Sequence, residues 1–414
     1  MPRPRRARPE PIPAVTPAML DVLVAGVETA ADLDARLKQL TAALSERILA
    51  SELTQHLQYP PGATRPAGTT NARNGTTPKR VLTEQGAVDL AIPRDRDGSF
   101  APQLVPKHAR RLPGFEGKVL SLYARGLTTR ELQAHLAECY QVDVSPDLIS
   151  TITDAILPEV TAWQQRPLEA IYVSVVFDAL RVKIRDEGVV QHKAVYLALG
   201  TPISGAKEVL GLWIAQREGA AFWQRVMVEL QGRGVRDIFI ACIDGLAGFP
   251  EAIHAVFPQT TIHQCVVHLV RASLRYVPAH ERKVLSPLLR RIYHAPSDAA
   301  GRTALATLAA HPLAAQHPGI ARLWDRHWER VAPLFQYPLS VRRLVMSTNA
   351  IESLNRTLRR SLKTRGSFPT DEAASKLLYL ALQHANAKLK PPVDWRRAMQ
   401  HIAMLYGERL PAEE

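Results

Sequence analysis

The sequence predicts a multidomain α+β protein in which an α/β core is flanked by helical regions. Three observations carry this. Residues 171–268 read as three strands, then helix, strand, helix, strand. The stretches on either side return to helical spacing of apolar residues. A chain of 414 residues also exceeds one small core, so about two to four domains are expected.

The first segment, "MPRPRRARPEP", reads as a disordered basic arm over 1–15, with no apolar stretch behind it to make a secretory signal. No apolar run approaches the ~18 residues that span a bilayer. With 52 basic against 39 acidic residues the net charge is +13, which calls for a polyanionic partner and favours nucleic acid over a membrane surface. Cys139, Cys242 and Cys265 are too few and too scattered for a disulfide framework and suit a reducing cytoplasm. An N-terminal helical region covers 16–58, with Leu37, Leu40, Leu44 and Ile48 as its expected buried stripe. Residues 59–106 form a basic Gly/Pro/Thr-rich loop, running to residue 80, and a short β-hairpin turning near Gly86. In 107–165, Thr128 and Glu131 have capping-box spacing. There too Ser145 and Pro146 mark a helix start. These short helices fit a DNA-binding helix-turn-helix or a plain three-helix bundle.

From 166 to 268 the composition changes. "IYVSVVFDALRVKIR", "KAVYLALG" and "KEVLGLWIA" are β-branched and aromatic. A helix with Gly234 as its C-cap, the strand "IFIACID", a short helix and "TTIHQCVVH" follow. This is the element order of an RNase H-like core. Residues 269–340 are helical and rich in Ala, Leu and Arg, an expected insertion that splits the core. Its Trp324 and Trp328 read as core residues, with stacking on an unpaired DNA base as the alternative. The core resumes over 341–390, and 391–414 is a helical tail.

Three acids need explaining. Asp178 lies inside an apolar strand, where an unpaired carboxylate is costly. Asp244 ends another strand before Gly245, which is also ordinary turn chemistry. Glu352 is the one acid between Ser340 and Gly366, among seven basic residues. It has N3 spacing from a candidate cap, Asn349, and ion-pair spacing to Arg356. If the first and fourth strands are neighbours, the two aspartates converge and repel unless a cation lies between them. Glu352, on a helix seated by Ile351, Leu354, Leu358 and Leu362, would complete an oxygen site for hard cations; Asn355 and Arg359 face with it. Two such ions clamp the attacking and leaving oxygens of a phosphoryl displacement.

The chain resembles the bacterial insertion-sequence transposases of the mutator type, a branch of the Asp-Asp-Glu transposases. The resemblance runs in order through "RNG", "PRDRDGSF", "LPGFEGKVLSLYARGLTTRELQAHL", "VSPDLIS", "FDALRVKIRD", "DIFIACIDGLAGFPEAI", "CVVH", "STNAIESLNRTLR" and "KTRGSFP". It implies that Asp178, Asp244 and Glu352 are the catalytic and metal-binding acids. It implies Mg²⁺, with Mn²⁺ substituting, and cleavage and strand transfer at an element's ends. Ala247 departs from the family, where Lys is frequent. Cys265 and His268 match a Cys-x-x-His signature and are read as a packed polar pair, since no second pair completes a zinc site. Candidate DNA contacts are Arg73, Lys79, Arg80, Arg130, Ser145, Arg356, Arg359, Arg360, Lys363 and Arg365. The expected partner is double-stranded DNA, as terminal inverted repeats and as target, with the protein at least dimeric on it; no membrane and no small-molecule cofactor are expected. The alternatives are an RNase H-like nuclease or resolvase, or a non-catalytic helix-turn-helix regulator.

Overall fold

The computed structural model describes residues 16–411 other than 67, 84, 141, 216–218, 245–247, 347–348 and 387–388, and the backbone alone at 113 and 349. The basic arm at 1–15, Ala247 and the side chain of the candidate cap Asn349 lie outside what is described. The chain divides into two compact units, 1–122 with 129–152 and 123–128 with 153–414.

In the first unit α1 (Pro17–Val24) precedes the 28-residue α2 (Ala30–Leu57). Thr29 opens α2 with a reciprocal cap: its Oγ1 accepts from Asp32 N at 3.2 Å, and Asp32 Oδ2 accepts from Thr29 N at 2.9 Å. The stripe expected to be buried is the wrong one. Leu37, Leu44 and Ile48 are exposed and Leu40 is half-buried, while Ser45, Leu49, Leu53 and Leu57 face inward. Helical periodicity allows both stripes, and a hairpin chooses between them. β1 (Arg73–Thr83) and β2 (Gly86–Asp95) pair antiparallel, and Val81, Val88 and Leu90 pack with Leu49 and Val105. Glu46 accepts from Ala91 N at 2.7 Å, and Glu52 accepts from Gln103 N at 2.8 Å, fixing that face.

The expected loop is shorter than the sequence suggests, because residues 73–79 belong to β1. From Thr76↔Pro93 to Thr83↔Gly86 the ladder is continuous, so pairing overrides the loop-like Gly, Thr and Pro. In "PRDRDGSF", buried Asp95 accepts from Asn71 Nδ2, Ser99 N and Phe100 N at 2.7, 3.0 and 3.1 Å, which ties the following bend. Then come α3 (Pro113–Ala124), α4 (Thr129–Tyr140) and α5 (Pro146–Asp154); Ser145 Oγ accepts from Leu148 N at 3.1 Å, the cap its sequence announces.

The second unit holds α6 (Leu157–Gln165) and a mixed sheet. β3 (Ile171–Asp186), β4 (Val189–Pro202) and β5 (Glu208–Ala215) run antiparallel. After α7 (Ala220–Gly232), β6 (Asp237–Ile243) returns parallel to β3 on its free side. After α8 (Phe249–Val256), β7 (Thr261–Gln264) adds parallel to β6. The order is β5-β4-β3-β6-β7, so the first and fourth strands are neighbours. On one face Val175 and Phe177 pack with Trp223 of α7 and Phe249 of α8, whose rings stack 3.7 Å apart.

Val173, Phe239 and Ile240 share a second core with a run of helices. These are α9 (Val266–Ser273), α10 (Arg282–Tyr293), α11 (Asp298–Ala310), α12 (Pro312–Gln316), α13 (Gly319–Val331) and α14 (Leu339–Met346). Trp324 and Trp328 are core, which overturns the base-stacking alternative. Both are buried, and their Nε1 atoms donate to Ser273 Oγ at 2.9 Å and Asp298 Oδ1 at 2.8 Å. α15 (Asn349–Lys363), α16 (Asp371–Asn386) and α17 (Trp395–Tyr406) complete the unit. Among the described residues no helix is long and apolar enough to cross a membrane.

Candidate active site

Two adjacent strands deliver two acids to the same edge. The parallel register of β3 and β6 ends at Val176↔Cys242. Two residues further along the chain lie Asp178, within β3, and Asp244, just past the end of β6. Side chains alternate along β3, so Asp178 points opposite to Phe177, away from α7 and α8 and toward the face that α9 and α15 cover. Its Oδ1 accepts from Ala179 N at 2.8 Å and lies 3.5 Å from His268 Nε2; its Oδ2 accepts from Asn355 Nδ2 at 2.5 Å.

Burial pushes the Asp178 carboxyl above its ordinary range; His268 and the bonds from Ala179 and Asn355 oppose this, while the nearby Asp244 charge adds to it. His268 is pushed up to about 9, chiefly by the neighbouring Cys265 thiol with the Asp244 and Asp178 charges assisting, which favours its cationic form. The free Cys242 thiol, buried beside Cys265, is pushed well up.

α15 seats itself by three means. Ile351, Leu354 and Leu358 are buried as expected. Ser361 Oγ donates to Ala124 O at 2.9 Å, and Thr364 Oγ1 donates to Gly126 O at 2.6 Å. Phe368, just beyond the helix, exchanges backbone bonds of 2.8 Å with the far end of β3, to Lys183 O and from Arg185 N. The helix is thus tied to the strand that carries Asp178. Asn355, expected to face the site with Glu352, is buried and reaches Asp178. Glu352, one turn earlier, is partly buried, and its Oε1 accepts from Arg271 Nη2 of α9 at 3.0 Å.

A profile of the family described as "Transposase, Mutator family" matches residues 16–391. The chain belongs to that family. It is 50% identical over 399 residues to the transposase for insertion sequence element ISRM3 of Rhizobium meliloti (strain 1021), covering 96% of this chain and 99% of the relative. A probable ISRM3-like transposase of Sinorhizobium fredii (strain NBRC 101917 / NGR234) is also 50% identical, over 400 residues, 96% of this chain and 99% of that one. A probable insertion-sequence transposase of Corynebacterium diphtheriae is 43% identical over 77% of this chain and 98% of its own length.

In this Mutator-family chain, the Asp244 charge lies near enough to act on Asp178, and Asn355, one turn after Glu352, reaches Asp178. Among the described residues, no three His, Cys, Asp or Glu side chains stand close enough to hold an ion together. The donor set nevertheless suits a hard cation: carboxylate oxygens, and a buried Asn355 Oδ1 with no partner among the described residues. Counter-charge is supplied instead by His268 and Arg271, one turn apart on α9. Sequence reasoning missed His268 as a neighbour of Asp178, and missed Arg271 and the Asn355 contact. Only the three-residue spacing of Cys265, His268 and Arg271 signalled that α9 turns one face to the site.

The candidate DNA contacts fall into two groups. Arg80, Arg130, Arg356, Arg359, Arg360 and Lys363 are exposed. The others make bonds within the chain. Arg73 donates to Thr54 Oγ1 and Tyr59 O at 3.0 and 2.8 Å, and Lys79 to Pro106 O at 3.0 Å. Arg365 donates to Leu127 O at 2.6 Å with its guanidinium 4.3 Å from the Tyr123 ring centre. Ser145 is a cap.

Proposed function

We propose that this chain is an Asp-Asp-Glu transposase with an RNase H-like core, in which Asp178, Asp244 and Glu352 hold a pair of Mg²⁺ ions and DNA is cut and rejoined at an element's ends. The observation that carries the reading is that the β3/β6 ladder ends two residues before Asp178 and Asp244, with Asn355 binding α15 to Asp178 one turn from Glu352. When bound, the ions would supply Lewis-acid activation of a water and a clamp on the attacking and leaving oxygens; Mn²⁺ would substitute.

The chain's own residues set the geometry. Asn355 and the Ala179 N–H hold the Asp178 carboxylate in one orientation before any substrate arrives. The His268 cation, 3.5 Å away, offsets the repulsion between the two aspartates. Exposed Arg356, Arg359, Arg360 and Lys363 on α15 hold the phosphate backbone near the acids. Attack of water on phosphorus breaks the bond to the bridging 3′ oxygen and leaves a 3′-hydroxyl. That hydroxyl then attacks a target phosphodiester, one P–O bond forming as another breaks. The helices α3 to α5 serve as a helix-turn-helix that finds the terminal repeats, and two chains act together, one on each end.

The test is a set of amide variants. Asp178→Asn, Asp244→Asn and Glu352→Gln keep volume and shape but remove charge, so each abolishes cleavage of a terminal-repeat duplex and leaves its binding nearly intact. Near wild-type cutting by Glu352→Gln refutes the assignment of that residue.

A further inference from the structure

Arginines that build this fold look alike. Buried Arg342 donates to four backbone carbonyls, and Arg409 to Asp237, Ile238 and Gln259. Arg271 differs. Its side chain is 42% exposed, and it makes one bond among the described residues, to Glu352. A guanidinium has five N–H donors, so most of Arg271's remain available. The next basic group on α9, His268, stands against Asp178. One helix face thus places a cation on each of two proposed metal-holding acids, and the more exposed of the two is underused as a donor.

We infer that Arg271 is a positioning residue with two successive partners: it holds Glu352 while the site is without metal, and passes to a backbone phosphate of the DNA strand when a divalent cation takes Glu352. A carboxylate that binds a cation no longer needs a guanidinium, and an arginine released beside a phosphodiester finds a planar anion it can grip with two N–H groups. The exchange couples metal and DNA binding, since each ligand frees the group the other needs or displaces. The inference rests on the proposed role of the three acids in holding metal.

The experiment uses the full-length chain and the variants Arg271→Gln, Arg271→Lys and Asp178→Asn, with two binding readouts independent of cleavage. In the first, Mn²⁺ is titrated by electron paramagnetic resonance without DNA. Arg271→Gln tightens Mn²⁺ binding about fivefold, the equivalent of one partly exposed ion pair no longer competing. In the second, a duplex copied from the element's end is titrated by anisotropy with Ca²⁺ or with EDTA. Arg271→Gln weakens binding about fivefold in Ca²⁺ and leaves it unchanged in EDTA; Arg271→Lys restores part of the Ca²⁺-dependent affinity. A residue that merely braced α15 would weaken both ligands or neither. Unchanged or weaker Mn²⁺ binding, or an equal loss of DNA affinity in EDTA, overturns the inference while the three-acid reading stands. Mn²⁺ binding by the wild type that Asp178→Asn leaves intact, or no Mn²⁺ binding at all, overturns that reading and this inference with it.

Discussion

Two adjacent arginines, identical in sequence character, make opposite predictions. Arg342 is 4% exposed, and Arg343 has a side chain 72% exposed. The Arg342 guanidinium donates to Tyr337 O, Ala295 O, Phe335 O and Pro296 O at 2.7, 2.6, 2.9 and 3.1 Å and lies 5.5 Å from the Phe335 ring centre. Arg342→Met keeps much of the stem packing and leaves those carbonyls short of a donor, at about 1–3 kcal/mol for each one left without any partner. Relief of the buried charge offsets part of this, so the net loss is about 3–5 kcal/mol. Arg343→Met removes only a 3.7 Å exposed ion pair with Asp394 and costs at most about 0.5 kcal/mol. Hydrogen exchange across α14 and α15 reads the local opening directly, and thermal melting reads the whole chain. Equal protection of α14 in the two variants would show that the carbonyls find other donors, and the reasoning would fail.

Three further outcomes follow from the same structure. Leu49→Ala, at a fully buried position, costs about 2–5 kcal/mol, whereas Leu44→Ala, 57% exposed, stays within about 0.5 kcal/mol; the reverse order in melting would restore the stripe the sequence suggests. Trp324→Phe destabilises by about 1–2 kcal/mol through loss of the bond to Ser273 and leaves single-stranded DNA affinity unchanged; a selective loss of that affinity would revive base stacking. Gly126→Ala forces a Cβ onto Ser361 O at a φ of +101°, so it costs about 2 kcal/mol or more and loosens α15 in hydrogen exchange; wild-type protection there refutes the close approach.

What the sequence disclosed depended on whether the signal was local. The succession of strands and helices in the core was legible because each strand carries its own β-branched run, and an Asp inside such a run declares itself by its cost. The extent of β1 was not: "RNGTTPK" has turn composition, and its strand character comes from β2, more than ten residues away. The buried face of α2 was equally hidden, since both leucine stripes satisfy a period of 3.6 and the choice rests on a hairpin beyond the helix.

Glu352 shows the same limit at the site itself. Counting seven cations around it suggested that its partners were near in sequence. Two of those cations belong to the fold: Arg342 spans buried carbonyls, and Arg365 grips Leu127 and Tyr123. Arg356, Arg359, Arg360 and Lys363 are exposed along α15. One arginine bonded to Glu352 comes from α9, 81 residues earlier, across the whole helical run that follows β7. That run does more than link β7 to α15. It starts at the end of β7, so its first helix must leave from the edge where Asp178 and Asp244 emerge. A helix leaving from that edge can carry charge to the acids within two turns, and His268 and Arg271 are where it does so.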